Sequence, residues 1–285
     1  GVIFWDRQHR YSTSSIYPGF RNESTNPCSE IAMQGGDSCR LIAINLYSFV
    51  NEAFTPRAWF ASEKRYTTPP SPAAAGRFAA VLLSHDHHAD NLDLAGRALI
   101  ADPQRVARVI TTVPGARRLA RPATTPDAPG RGLGLGDRVV GLVPGATTRV
   151  GSITITATVA RHGPSIAPQV HEVIGFLLEV DAGPRIWISG DTVLFPELTA
   201  TLAAIRERGP IDLAVVHCGA VGFPRVPGFR RTRFTFDAAE AIAACHLLGP
   251  TQILPIHRSG WAHFQQPEAE LRAAFTAAGL GERTR

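Results

Sequence analysis

A chain of 285 residues, 44% hydrophobic and 19% charged, has the composition of a globular protein and room for one large domain or two modest ones. It offers no apolar stretch of membrane-spanning length and no visible secretory leader, and its four cysteines fit neither a disulfide framework nor a Cys-x-x-Cys metal site, so a cytoplasmic setting without membrane contact is expected. The net charge of +5 would suit nucleic acid, but the arginines are scattered, which argues against that partner. Arg225, Arg230, Arg231 and Arg233 form the only dense group, either a solvated loop face or a grip on an anionic substrate.

Composition changes abruptly near residue 62. All four tyrosines (Tyr11, Tyr17, Tyr47, Tyr66), the one methionine Met33 and the one lysine Lys64 fall at or before residue 66. Asparagine occurs at 22, 26, 45 and 51 and afterwards only at Asn91. The remainder is rich in Ala, Arg, Gly and Pro. A shift this sharp points to two sources of sequence.

From residue 75 onward the pattern is mixed α/β. Apolar runs predict strands near 78–83, 107–111, 139–143, 153–160, 173–180, 185–189, 211–216 and 252–256. Helices are predicted near 91–101, 114–120, 194–207, 237–248 and 267–279. Asp237 with Glu240 three residues on gives the fourth helix its start, and Gly249-Pro250 its end. Asp181-Ala182-Gly183-Pro184 reads as a turn between strands. Gly130 to Gly136 mimics a dinucleotide loop, but the strand-like Val139-Val140-Gly141-Leu142-Val143 follows instead of a helix, so no phosphate cradle is expected.

The most informative segment is Ser84 to Asp93, Ser-His-Asp-His-His-Ala-Asp-Asn-Leu-Asp, directly after Phe78-Ala79-Ala80-Val81-Leu82-Leu83. Three imidazoles and three carboxylates fall within ten residues at the mouth of a predicted strand. Like charges repel and burial penalises each of them, unless a divalent cation takes imidazole and carboxylate as ligands. The alternative is a solvated, His-rich turn. Three more candidates follow strands: His162, Asp191 in Gly190-Asp191-Thr192, and His257 after Pro255-Ile256. Strand C-termini are where α/β sheets gather ligands.

This order resembles the metallo-β-lactamase-fold hydrolases, most closely a bacterial branch with a Ser-His-Asp-x-His-x-Asp-Asn-Leu-Asp motif and a Gly-Trp-x-His-Phe ending, here Gly260-Trp261-Ala262-His263-Phe264. The resemblance covers about residues 66–285 and implies an α/β, metallo-β-lactamase-like αββα sandwich. The several strands that normally precede the motif are not found, so the sandwich is expected to lack them. The usual His-x-His-x-Asp-His pattern is incomplete in either register. From His85, Ala89 stands where Asp belongs; back from Asp90, Asp86 stands in a His slot, and Asn91 takes the last His position. The expected ligands are His85, His88 and Asp90, with Asp86 as a substitute for His85 and His87 less favoured. By the same resemblance His162 completes the first metal position, Asp191 bridges two ions and His257 serves the second. The expected cofactor is one or two Zn²⁺, with Mn²⁺ or Fe²⁺ as alternatives. A metal-bound hydroxide would attack an ester, lactone or phosphodiester of a small-molecule substrate. Asp90 would orient it, and His263 would protonate a leaving group, hold the substrate, or merely pack against aromatic rings. His217, after the strand at 211–216, would support the site from behind.

Residues 1–62 tell a different story. Asn26-Pro27-Cys28-Ser29-Glu30-Ile31 and Ser38-Cys39-Arg40-Leu41-Ile42-Ala43-Ile44-Asn45-Leu46 resemble the active-site region of a ribonucleotide reductase catalytic subunit. That resemblance implies Cys28 as the radical cysteine, Glu30 as acid/base, Asn26 on the substrate ribose and Cys39 as half of a redox pair. A segment this short cannot enclose a radical, so an inert extension is expected beside a hydrolase domain at 66–285. The competing functions are a radical oxidoreductase fragment and a non-catalytic metal- or nucleic-acid-binding module.

Overall fold

The computed structural model describes residues 77–88, 91–92, 94–122, 132–164, 172–222, 232–258 and 263–284, plus four two-residue strands nearer the N-terminus. The chain divides into two units, Gly1–Thr68 and Pro69–Arg285. In the first, Ser24–Thr25 pairs antiparallel with Ala32–Met33, and Val50–Asn51 with Trp59–Phe60. Asn26, Cys28, Glu30 and Cys39 lie outside the described residues.

The second unit runs β1 (Val81–Leu82), α1 (Leu94–Ala101), β2 (Val109–Thr112), α2 (Val113–Ala120), β3 (Val139–Leu142), β4 (Thr147–Val150), β5 (Ile153–Val159), β6 (Ile174–Val180), β7 (Arg185–Ile188), α3 (Pro196–Glu207), β8 (Leu213–His217), α4 (Ala238–Leu248), β9 (Gln252–Ile256) and α5 (Glu268–Ala277). A parallel sheet has the order β1-β2-β3. A larger one has the order β9-β8-β7-β6-β5-β4, antiparallel from β4 to β7 and parallel from β7 to β9. Helices α3 and α4 make the two crossovers that parallel neighbours require.

Side chains alternate across each strand, and both faces of the central strands are buried. On β6, Ile174 and Phe176 enter the layer between the sheets with Ile110, Leu142, Ile155 and Ala157. Leu177 faces the other way, joining Trp187, Leu198, Leu202 and Phe275 under the helices. On β2, Ile110 faces the inter-sheet layer while Val109 meets Ile100 and Leu119 on the far side. The result is helix, sheet, sheet, helix, and it explains why these strands read as unbroken apolar runs.

Strand direction sets where the polar ends gather. β5, β7, β8 and β9 all run the same way, and β6 runs against them. The segments after β5, β7 and β9, and the last residue of β8, therefore share one edge with the start of β6. There the Ile174 N–H donates to the Ser84 carbonyl at 3.1 Å, fastening the end of β1 to the larger sheet.

The strand β4 escaped the sequence reading. It is an edge strand with Thr147 and Arg149 exposed, so it has no apolar run. Its signal is the two-residue Gly151-Ser152 hairpin, with Gly151 at φ +58°. The start of α4 is as read: Asp237 Oδ1 accepts from the Glu240 N–H at 2.9 Å, and Gly249 closes the helix in the left-handed conformation. Among the described residues no helix is long and apolar enough to cross a membrane.

Candidate metal centre

The loop after β1 turns so that its imidazoles face inward. The Leu92 N–H returns to the His88 carbonyl at 2.9 Å, and the Asn91 side-chain amide donates to the His85 carbonyl. Asn91 is thereby committed to holding the loop, in keeping with its poor suitability as a ligand. His85 is fully buried, with Nδ1 3.0 Å from Ser84 Oγ and Nε2 3.1 Å from His88 Nδ1. His162, after β5, places Nε2 3.0 Å from the same His88 nitrogen. The three donor atoms all lie within 4.8 Å of one another.

The protonation of this cluster follows from its partners. His162 Nδ1 lies 2.7 Å from the Phe234 carbonyl, which can only accept, so Nδ1 carries the proton and Nε2 presents a lone pair. If His88 Nδ1 is bare, two lone pairs oppose each other. If it is protonated, one hydrogen faces both His162 and His85. No arrangement of protons satisfies all three nitrogens equally, whereas one cation does. Burial, partly offset by the Phe234 carbonyl and reinforced by neighbouring imidazoles, pushes His162 down to about 3. Burial and then His162 and His88 push His85 well below its ordinary value. Both rings are neutral at pH 7, the form that binds metal.

Asp191 continues the cluster. Its Oδ2 lies 4.0 Å from His85 Nε2 and 3.8 Å from His162 Nε2, while Oδ1 lies 3.6 Å from His257 Nδ1. Gly190 makes this placement attainable: at φ +62°, a Cβ would sit 2.5 Å from the Ile174 carbonyl oxygen. Two bonds stitch the His162 and Asp191 loops together. Thr192 Oγ1 accepts from the Arg161 N–H at 2.9 Å, and the Val193 N–H donates to the Arg161 carbonyl at 3.0 Å. His257 adopts φ +54°, rare for a residue with a Cβ, and packs against Phe264 with ring centroids 4.8 Å apart.

His217 stands at the same edge, its ring 5.8 Å from that of His257. Ser189 Oγ donates to the Gly190 carbonyl at 2.8 Å, so it accepts from the His217 backbone N–H at 2.9 Å and from His217 Nδ1 at 3.0 Å. Burial, with His257 and His162, lowers His217 to about 3.

The structure therefore brings together His85, His88, His162, Asp191 and His257. Asp90 lies outside the described residues, as do Arg225, Arg230 and Arg231. The ring of His263 packs on Phe264 with centroids 4.9 Å apart, and its carbonyl accepts from the Gly222 N–H. His87 is half-buried, its ring centroid 4.4 Å from that of His88.

Two readings are corrected. Asp86 does not substitute for His85: its carboxylate is buried and forked by Arg118, with Oδ2 2.9 Å from Nε and Oδ1 2.6 Å from Nη2. Burial would raise its pKa, but Arg118 overrides that and holds it at about 2. Arg233 is not an open anion grip, because it binds Asp237 at 2.7 Å and Glu240 at 3.0 Å. The sequence reading missed Arg118, Ser189, Thr192 and the Phe234 carbonyl. Of these Ser189 and Thr192 flank Gly190-Asp191 in the sequence, whereas Arg118 comes from far along the chain and Phe234 acts through its backbone.

A beta-lactamase superfamily domain model matches residues 51–258. A UPF0173 metal-dependent hydrolase from Pelotomaculum thermopropionicum is 30% identical over 38% of this chain and 40% of its own length. One from Methanosphaerula palustris is 27% identical over 50% of this chain and 60% of its own. The match thus spans about half of each of these relatives. One from Anaeromyxobacter dehalogenans is 26% identical over 72% of this chain and 69% of its own. Among solved structures, an isothiocyanate hydrolase from Delia radicum gut bacteria superimposes with a TM-score of 0.56 at 18% identity, covering 76% of both chains. Igni18, a metallo hydrolase from Ignicoccus hospitalis, gives 0.52 at 19% identity, covering 72% of this chain and 74% of its own. The layered sheets are an α/β metallo-β-lactamase-like fold, and this chain belongs to the beta-lactamase superfamily.

Proposed function

We propose that the chain is a metal-dependent hydrolase that cleaves an ester, lactone or phosphodiester in a small, anionic substrate within the cytoplasm. The observation that carries this reading is the meeting of three imidazoles, one with its lone pair fixed inward by the Phe234 carbonyl. His85, His88 and His162 would hold one divalent cation, Zn²⁺ before Mn²⁺ or Fe²⁺, since nitrogen donors suit it best. Asp191, which faces both His162 and His257, would be shared with a second, weaker position served by His257. A cation bound there lowers the pKa of water from 15.7 to about 7 and polarises a carbonyl or phosphoryl oxygen. Asp90 is assigned to orient the attacking water and His263 to return a proton to the leaving group. Residues 1–62 are read as a ribonucleotide-reductase-like extension that takes no part, so Cys28→Ser should leave hydrolysis unchanged.

Elemental analysis of the purified chain tests the reading, followed by a panel of ester, lactone and phosphodiester substrates before and after chelation. One to two equivalents of metal and chelator-sensitive turnover are expected. Metal-free protein that takes up no zinc on titration would end the proposal.

A further inference from the structure

We infer that Arg118 is the positioning residue of the metal centre: by gripping Asp86 and Glu172 at once, its guanidinium fixes the loop that carries His85 and His88. The inference rests on the metal-dependent reading above.

Arg118 reaches out from the last turn of α2. Its Nε and Nη2 fork the two oxygens of Asp86, and its Nη1 lies 2.7 Å from Glu172 Oε2. Glu172 stands two residues before Ile174, whose N–H holds the Ser84 carbonyl. The loop is therefore pinned at Ser84 by the larger sheet and at Asp86 by the helix. Asp86 also tucks against the first turn of α2: a Cβ on Gly115 would lie 3.0 Å from Asp86 Oδ1. Asp86 stands between the two histidines in sequence, yet its carboxylate turns to Arg118, while His87 Nδ1 lies 3.9 Å from its Oδ1.

Energetics favour orientation over stability as the role of this pair. Taking the Asp86 carboxylate out of water offsets much of what Arg118 returns to it, and an apolar pair of similar volume is often as stable. The fork, by contrast, admits a narrow range of orientations. Loop geometry within about half an ångström is what a donor set of imidazoles needs.

The test measures the zinc dissociation constant by chelator competition on the full chain, beside the thermal midpoint of the metal-free protein. Arg118→Lys keeps the charge but cannot make both the fork and the bridge to Glu172. It should weaken zinc by roughly 10–100-fold, the usual effect of losing an outer partner, with little change in the metal-free midpoint. The uncharged pair Asp86→Asn with Arg118→Met should likewise fold and remain at least about tenfold weaker. Wild-type zinc affinity in either variant overturns the inference, as does affinity that falls only in step with the metal-free midpoint. His162→Ala serves as the control. If it loses zinc while Arg118→Lys keeps it, only the positioning role fails. If wild type and His162→Ala bind zinc equally, or neither binds, the metal reading itself fails.

Discussion

His162 shows how one backbone carbonyl decides what a side chain can do. The Phe234 oxygen takes the Nδ1 proton, and the ring then has only a lone pair to offer the cluster. His162→Ala should therefore abolish tight metal binding, measured as metal equivalents after dialysis. His263→Ala should lower turnover with metal content nearly intact, and equal metal loss in both would contradict the separate duties assigned to them. Cys218 and Cys245 give a second prediction. Burial raises the Cys218 thiol to about 12, with Cys245 adding to the shift and Arg258 opposing it; burial alone raises Cys245 to about 12. The unfolded thiols ionise near 9 while the folded ones hold their protons, so stability falls as pH rises from about 9 towards 12, by about 1.4 kcal/mol per unit for each thiol. Denaturation midpoints across that window check the sign, and peptide mapping should find both unlabelled by alkylating agent until the chain unfolds. Much of the candidate site is legible at this scale: the cluster at 84–93, His162, Asp191 and His257 each follow a predicted strand, while the choice of His85 and His88 within the cluster comes from the resemblance to the metallo-β-lactamase-fold motif. What could not be read was the allegiance of Asp86, since Arg118 is 32 residues away and nothing local distinguishes a ligand from an ion-pair partner.

At the scale of elements, strand direction does the assembling. Because β5, β7, β8 and β9 run together, each needs only one polar residue at its end for four side chains to meet. The apolar runs made most of these strands legible, and capping chemistry made α4 so. The edge strand β4 was not, because half its side chains face water and its identity rests on the ladder with β5. The cap on α4 can be separated from the chemistry. Asp237→Ala removes the acceptor for the Glu240 N–H and should cost about 0.5–2 kcal/mol in chemical denaturation. Metal content should be unchanged, since Asp237 faces Arg233 rather than the imidazole cluster.

Over the whole molecule, the donors come from both sheets: His85 and His88 follow the small one, and His162, Asp191 and His257 the large one. A cation held by both sets binds the folded state alone and so stabilises it. At a hundredfold excess over its dissociation constant it adds about 2.7 kcal/mol. For a unit of this size that corresponds to roughly 5–10 °C in Tm, which scanning calorimetry with and without chelator would show. A Tm indifferent to chelator would mean that no ion bridges the sheets.

The hydrogen bond from Ile174 to Ser84 joins segments some ninety positions apart, and it lies at the mouth of the cluster. Before that seam closes, a nascent chain offers a passing ion only the neighbouring side chains of one short loop. On the proposed ligand set, loading would thus be a late event in biogenesis, and a ribosome-bound chain that has not yet released β9 would lack His257 for the second position.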